Sequence, residues 1–194
     1  MAITDEQLRL TGSESEALAI YNEVKQAGDF RGFAQRFMHN ADYRVARIAL
    51  WSLTKATDDE LAQLNDILNE FIDLAMQTEN SSVRRLSLNI IERLKMDEDD
   101  LRTDFLDFCM AKMTDAGEFS AIQAVSMKLA YRMCQFYPEL TDELMRILDA
   151  MEPDFYKPAV ISTRRRILSG KIKTTKNSAI IVTATGISVS VRAV

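Results

Sequence analysis

The sequence of 194 residues is poor in the residue types that turn-rich, disulfide-bonded and histidine-based proteins need: it has 6 Gly, 3 Pro, 2 Cys and 1 His. So little glycine and proline disfavours an all-β fold and favours helix. The single histidine, His39, excludes a metal site built from several histidines and a relay between two of them. Cys109 and Cys134 stand in apolar stretches, where free cysteine usually acts as a small buried hydrophobe.

The short motifs of common catalytic and cofactor sites are absent as well. There is no glycine-rich phosphate loop, no serine elbow and no Cys-x-x-Cys pair. The acidic run Asp97–Asp100 lacks the glycine and the alternating spacing of a calcium loop, so we expect it to be the solvated first turn of a helix. The sequence therefore predicts no catalytic residue, no metal ligand and no cofactor, and it favours a non-enzymatic protein.

No stretch of the sequence is apolar over the roughly 18 residues that a membrane span needs. Residues 1–10 are polar and acidic, whereas a signal peptide starts with basic residues and continues with an apolar run. We therefore expect a cytoplasmic protein that does not contact a membrane. The formal net charge of −5 argues against a general nucleic-acid binder but is compatible with a local basic patch.

Apolar residues recur at intervals of three and four along most of the chain, which is typical of amphipathic helices. Start signals divide this pattern into about nine helices without a visible linker. Ser13 with Glu16 forms a capping box, Asp42 and Asn80 each precede a helix, and Pro138 suits a first helical turn. Because this length suits one core better than two, we predict one all-α domain over residues 1–170.

The sequence also predicts the boundaries of two further helices. Asp58 opens the longest helix, whose apolar positions continue to Ala75. Pro153 signals the last helix, which runs to Leu168.

Alternate helices resemble one another at a nearly constant spacing. Residues 83–91 align without gaps with residues 122–130 at an offset of 39, and residues 43–51 align with residues 83–91 at an offset of 40. Paired helices at this period define helical-repeat units, in which each unit covers the apolar face of its neighbour. The same alignment equates Trp51 with apolar residues and predicts that it lies in the core.

The aligned segments resemble the second helix of a HEAT repeat, in which an aromatic or aliphatic residue precedes Arg, as in Tyr43-Arg44 and Val83-Arg84. The resemblance to HEAT and armadillo-like proteins covers residues 29–168 as four units and implies an α-α superhelix. In HEAT families the Asp or Asn between the helices and that Arg commonly link successive units. The resemblance therefore implies a structural ladder formed by Asp42, Arg44, Asn80 and Arg84.

The resemblance also implies a function, because stacked helix pairs leave surfaces that bind partners. We predict a non-enzymatic scaffold for a protein or peptide. The alternative is a DNA-binding or DNA-repair protein, since the similar DNA alkylation repair glycosylases bind duplex DNA on a basic face. Basic residues of the second helices are the candidates for such a face: Arg44, Arg47, Arg84, Arg85, Arg93, Lys128, Arg132 and Arg164–Arg166.

Four residues are our predicted contacts to a protein or to nucleic acid: Arg47, Arg85, Lys128 and Arg132. A continuous positive groove formed by the three arginines would favour DNA. Glycosylases of the alkylation repair group use an Asp beside aromatic residues, and with Trp51 as its only Trp this chain lacks a second one for such a cradle. An enzyme with a site shared between subunits leaves no pattern in one chain, and the oligomeric state is not predicted.

Residues 171–194 differ from the rest of the chain. They contain three Lys and one Arg but no Asp or Glu, and Ala179–Val191 is rich in Ile, Val and Thr, which is typical of β-strand. Three interpretations stay open for this β-prone tail: a disordered segment, a hairpin or edge strand that pairs with another chain, or a non-native extension. No function is predicted for it.

Overall fold

The computed structural model describes residues 3–172, which are largely helical and contain no strand. The predicted strand at Ala179–Val191 lies outside the described residues. In chain order the α-helices are α1 (Asp5–Leu10), α2 (Glu14–Ala27), α3 (Phe30–Phe37), α4 (Tyr43–Leu53), α5 (Asp58–Leu61), α6 (Leu68–Gln77), α7 (Ser81–Arg93), α8 (Thr103–Thr114), α9 (Ser120–Cys134), α10 (Pro138–Ala150) and α11 (Pro158–Leu168).

The helices form two rows. In the second-helix row, α4 packs on α7, α7 on α9 and α9 on α11, and α1 packs on α4 at the start of the row. In the first-helix row, α2 and α3 pack on α4, α6 on α7, α8 on α9, and α10 on α9 and α11. The predicted stack of two-helix units is confirmed, with the segments at Tyr43, Val83 and Ile122 side by side in that order.

The pattern of burial gives the register of the repeat. The N-cap residues Asp42 and Asn80 are 38 residues apart, and at that offset the buried residues of α4 match those of α7. The predicted offset of 40 between α4 and α7 is therefore two residues too long. The predicted offset of 39 between α7 and α9 agrees with the burial of the two helices. The error arose because Tyr43 and Val83 are both large apolar residues followed by Arg, so the sequence aligns them. In the structure Tyr43 is 49% exposed, whereas Val83 is only 2% exposed.

The corrected register places equivalent apolar residues in the core between the rows. Leu50, Leu88 and Met127 follow at offsets of 38 and 39, and all three are fully buried. Trp51 corresponds to Asn89 rather than to a core residue, and it is half-buried, with its inner side packed against the core. The prediction that Trp51 is a core residue is therefore wrong.

Most start and stop signals act as predicted. Ser13 and Glu16 form the capping box of α2, and Gly28 ends that helix with a positive φ of 72°, a conformation that suits glycine. Pro138 lies in the first turn of α10. The two cysteines are free and buried, as predicted.

Three boundaries differ from the predictions. A 3₁₀ turn, Ala62–Ile67, divides the helix predicted from Asp58, and it brings the Asn65 side-chain oxygen within 3.0 Å of the backbone nitrogen of Lys95. The acidic run forms a separate 3₁₀ turn, Glu98–Asp100, before α8. Another 3₁₀ turn at Pro153–Phe155 precedes α11, which begins only at Pro158. The six-residue α1 was not predicted, because so short a helix leaves little periodic signal.

Glu60 fastens α5 to α2 as an ionised carboxylate. Its Oε2 accepts the Thr57 backbone N–H at 2.8 Å and the Tyr21 hydroxyl at 3.0 Å, and Lys25 Nζ lies 3.1 Å from Oε1. The Thr57 hydrogen bond makes the largest contribution in lowering the pKa of Glu60 from 4.5 to about 2. Lys25 and Tyr21 act in the same direction, against the effect of burial.

We expect Glu60→Gln to lower the free energy of unfolding by about 1 kcal/mol at pH 7, because hydrogen bonds to a charged acceptor become neutral ones. The folded pKa lies below the unfolded one, so this contribution is complete above pH 4.5 and is lost as the pH falls towards 2. Urea unfolding of both proteins across this range measures the difference. A difference that stayed constant with pH would contradict the assignment, and the exposed Glu79→Gln is the control.

Candidate binding face

One side of the second-helix row is open to solvent. At the corrected register, Arg47 of α4 corresponds to Arg85 of α7 and Ala124 of α9, and all three are half-buried. One turn later, the equivalent positions on the same three helices are also half-buried. The second-helix face is defined here by these two lines of residues: Arg47, Arg85 and Ala124, and Trp51, Asn89 and Lys128.

The two rows of helices carry opposite charge. The four helices of the second-helix row contain ten Arg or Lys residues and a single carboxylate, Glu92. The first-helix row, taken together with α5 and the 3₁₀ turn at Ala62–Ile67, contains fifteen Asp or Glu residues and five Arg or Lys residues. The net charge of −5 for the whole chain thus conceals a strongly basic side. Separation of this kind concentrates anionic partners at one surface.

Several of the basic side chains have structural roles. Three polar side chains bind carbonyl groups at the carboxyl end of the preceding first-row helix, where the last carbonyls have no partner within the helix. The pairs are Arg84 with Ala75 and Thr78, Gln123 with Asp115, and Arg164 with Leu148 and Asp149. Gln123, which lies 39 residues after Arg84, therefore makes the same kind of contact in the next unit.

Two arginines connect successive second helices. Arg93 Nη2 donates to the carbonyl oxygen of Ala56 at 2.6 Å and its Nη1 to that of Thr54 at 3.2 Å, just beyond α4. Arg132 Nη1 donates to the carbonyl oxygen of Glu92 at 3.2 Å, near the end of α7. Arg93 and Arg132 are 39 residues apart and occupy the same position in successive units. The same contact thus links α7 to α4 and α9 to α7.

A cavity of about 260 Å³ opens between the amino-terminal ends of α7 and α9, beside the second-helix face. Arg85 and Ser82 line it from α7, and Ala121 lines it from α9. Phe119, which is 65% exposed, stands at the start of α9 and also lines the cavity. Sequence reasoning missed this site, although an apolar residue at an N-cap position is a signal, because polar residues are the rule there.

A family model described as "HEAT repeat domain" matches residues 4–171. The chain belongs to the HEAT repeat domain family. No curated protein and no solved structure gives a significant match to the chain. HEAT repeat domains are helical scaffolds generally used for protein interaction, and the family match names no partner for this one.

The hydrogen bonds between HEAT units do not come from the four residues predicted as the ladder. Asp42 and Asn80 are the N-caps of α4 and α7, and Asp42 Oδ2 also accepts from Arg9 Nε of α1 at 2.7 Å. Arg44 is exposed, and the hydrogen bonds of Arg84 stay within its own HEAT unit. Arg93 and Arg132 do link successive units, because those side chains reach the neighbouring second helix.

The structure places the four predicted contact residues of the HEAT domain in different environments. Arg132 is 1% exposed and cannot touch a partner, so its prediction as a surface contact is wrong; burial lowers the pKa of its guanidinium. Lys128 Nζ lies 2.8 Å from Glu92 Oε1 of the preceding unit, which offsets its charge. Arg47 and Arg85 stand on the second-helix face without an ion pair or hydrogen bond to any side chain of residues 3–172. Of the three arginines whose continuous groove would favour DNA, only Arg47 and Arg85 therefore lie on the face.

Within residues 3–172, no group of three or more His, Cys, Asp or Glu side chains is placed to hold a metal ion. In the same part of the chain, every helix is too short or too polar to span a bilayer.

Proposed function

We propose that this HEAT repeat protein is a non-enzymatic scaffold that binds a protein or peptide through its second-helix face. The observation that carries the proposal is the pair Arg47 and Arg85, which stand at equivalent positions of neighbouring units with no acidic partner among residues 3–172. Nearby arginines of the same row are engaged by backbone carbonyls instead. On the second-helix face, Arg47 and Arg85 are thus left to interact with another molecule.

A rigid platform supports this proposal. Arg93 and Arg132 hold α4, α7 and α9 in sequence, so the face needs little ordering when a partner arrives, and preorganised surfaces lose less free energy on binding. The cysteines supply no evident nucleophile, because burial raises the pKa of both thiols, that of Cys134 to about 11. Both features favour a binding role over chemistry.

The test is a steric block with a matched control. Asn89 lies in the middle of the second-helix face, and Asn69 lies exposed on α6 in the first-helix row. We expect Asn89→Trp to lose the proteins that wild type and Asn69→Trp both capture from cell extract, as measured by quantitative mass spectrometry. Thermal unfolding confirms that each variant is folded.

Equal capture by the three proteins would contradict the proposal, because the partner would then bind elsewhere. If Asn69→Trp alone lost the captured proteins, the interface would lie on the first-helix row. If the purified chain turned over a substrate and captured no partner, the protein would be an enzyme rather than a scaffold.

Binding of duplex DNA is a second candidate function, favoured by the separation of charge between the two rows. Trp51 adds to it, because the structure puts this residue on the second-helix face, four residues after Arg47. If the protein contacts DNA phosphates, the logarithm of its affinity for duplex DNA falls linearly with the logarithm of the salt concentration. The absence of binding to duplex DNA at low salt would remove this candidate.

A further inference from the structure

The second-helix face offers few free cations, and their positions restrict the partner. Among residues 3–172, Lys128 is neutralised by Glu92, and Arg84, Arg93, Arg132 and Arg164 bind carbonyl groups. On the face itself Arg47 and Arg85 remain, on two neighbouring helices, whereas the exposed Arg44, Arg165 and Arg166 of the same row lie outside its two lines of residues. The equivalent position on the next helix is Ala124, so the line of charge stops after two units.

A duplex fits this arrangement poorly. Proteins that bind duplex DNA typically neutralise about six to ten phosphates, whereas the face presents one pair of free cations followed by a small neutral residue. The acidic first-helix row adds repulsion at longer range. A short polypeptide needs only one or two charge contacts if apolar contacts accompany them.

Apolar contacts are available beside the two arginines. Tyr43, 49% exposed, begins α4, and Phe119, 65% exposed, precedes α9, so both aromatic rings stand at the amino-terminal ends of second helices. The cavity lined by Arg85 and Phe119 lies at the same end. Charged and apolar contacts therefore alternate along one edge from α4 to α9.

We propose that the second-helix face takes an extended acidic peptide segment, whose carboxylates pair with Arg47 and Arg85 and whose apolar side chain enters the cavity beside Phe119. The proposal rests on the function proposed above and names the chemistry of its partner. Packed helices lie about 10 Å apart, so the three helices span about 20 Å, or about six extended residues. A segment of that length matches the edge from Tyr43 to Phe119.

The test uses a fluorescein-labelled hexapeptide of alternating Glu and Leu and the same peptide with Gln in place of Glu. We expect fluorescence anisotropy with the full chain at low salt to show saturable binding of the Glu peptide only, weakening as salt rises. Arg47→Glu with Arg85→Glu should reduce the affinity at least about tenfold, because two attractive contacts become repulsive. Arg31→Glu with Arg146→Glu, the same change of charge on the first-helix row, should leave the affinity within about twofold.

Other outcomes overturn the inference. Equal binding of the Gln peptide, equal losses in the two charge-reversed pairs, no saturable binding, or tighter binding of short duplex DNA would each exclude an acidic peptide as the occupant. Should the charge-reversed face variant unfold, Arg47→Gln with Arg85→Gln serves in its place, with a smaller loss expected. If Asn89→Trp still abolishes capture of a protein while the Glu peptide does not bind, the proposed scaffold function stands and only the acidic occupant fails.

Discussion

Replacement of Arg132 by alanine is expected to lower the free energy of unfolding by about 3 kcal/mol. The side chain is buried between α7 and α9, where it donates to the carbonyl oxygens of Ile91 and Glu92. Alanine removes these donors and leaves a cavity where a long side chain had packed. Urea unfolding monitored by circular dichroism measures the change.

The matched control for this variant is Lys128→Ala, one turn earlier on the same helix. Lys128 is half-buried and its ion pair with Glu92 is near the surface, so its removal should cost less than about 1 kcal/mol. A different result would restore the role predicted from sequence: if Arg132→Ala kept wild-type stability but lost the partner, Arg132 would be a contact residue rather than the link between units.

The second large effect is expected for Leu88→Ala, with a loss of about 3 to 4 kcal/mol. Leu88 is fully buried in α7, which packs on both neighbouring second helices and on α6. Because each repeat unit is stabilised by its neighbours, a cavity in this middle unit weakens the contacts on both sides. The midpoint of urea unfolding should fall accordingly.

Asn89→Ala, the adjacent substitution, supplies the comparison. Asn89 belongs to the second-helix face, so we expect a change within about 0.5 kcal/mol. Similar losses for the two variants would mean that α7 does not present Asn89 to solvent, and the definition of the face would then be wrong.

The helical fold could be predicted from the sequence because its signals are local. The caps at Asp42 and Asn80 and the spacing of apolar residues depend on neighbours a few positions away. The register of the first unit could not be obtained in this way. Tyr43 and Val83 are both large and apolar, and only the packing of their helices determines that Tyr43 is exposed.

The candidate site was predicted in part. Arg47 and Arg85 lie on the open face, and their contact with a partner stays a prediction. Arg132 is buried, which the sequence could not show, because an arginine near a helix end has the same sequence pattern whether it meets solvent or a neighbour's carbonyl groups. Its spacing of 39 residues from Arg93 was the available signal. The opposite charges of the two rows could also be read from the sequence, but only after each helix had been assigned to a row.

The central claim is that partners bind the second-helix face, and photo-crosslinking tests it most directly. The Glu and Leu peptide, with a diazirine group on one Leu, is irradiated with the full chain, and the crosslinked residues are located by mass spectrometry. The account predicts crosslinks in α4, α7 and the start of α9, near Arg47, Arg85 and Phe119. Crosslinks confined to α6, α8 or α10 would contradict it.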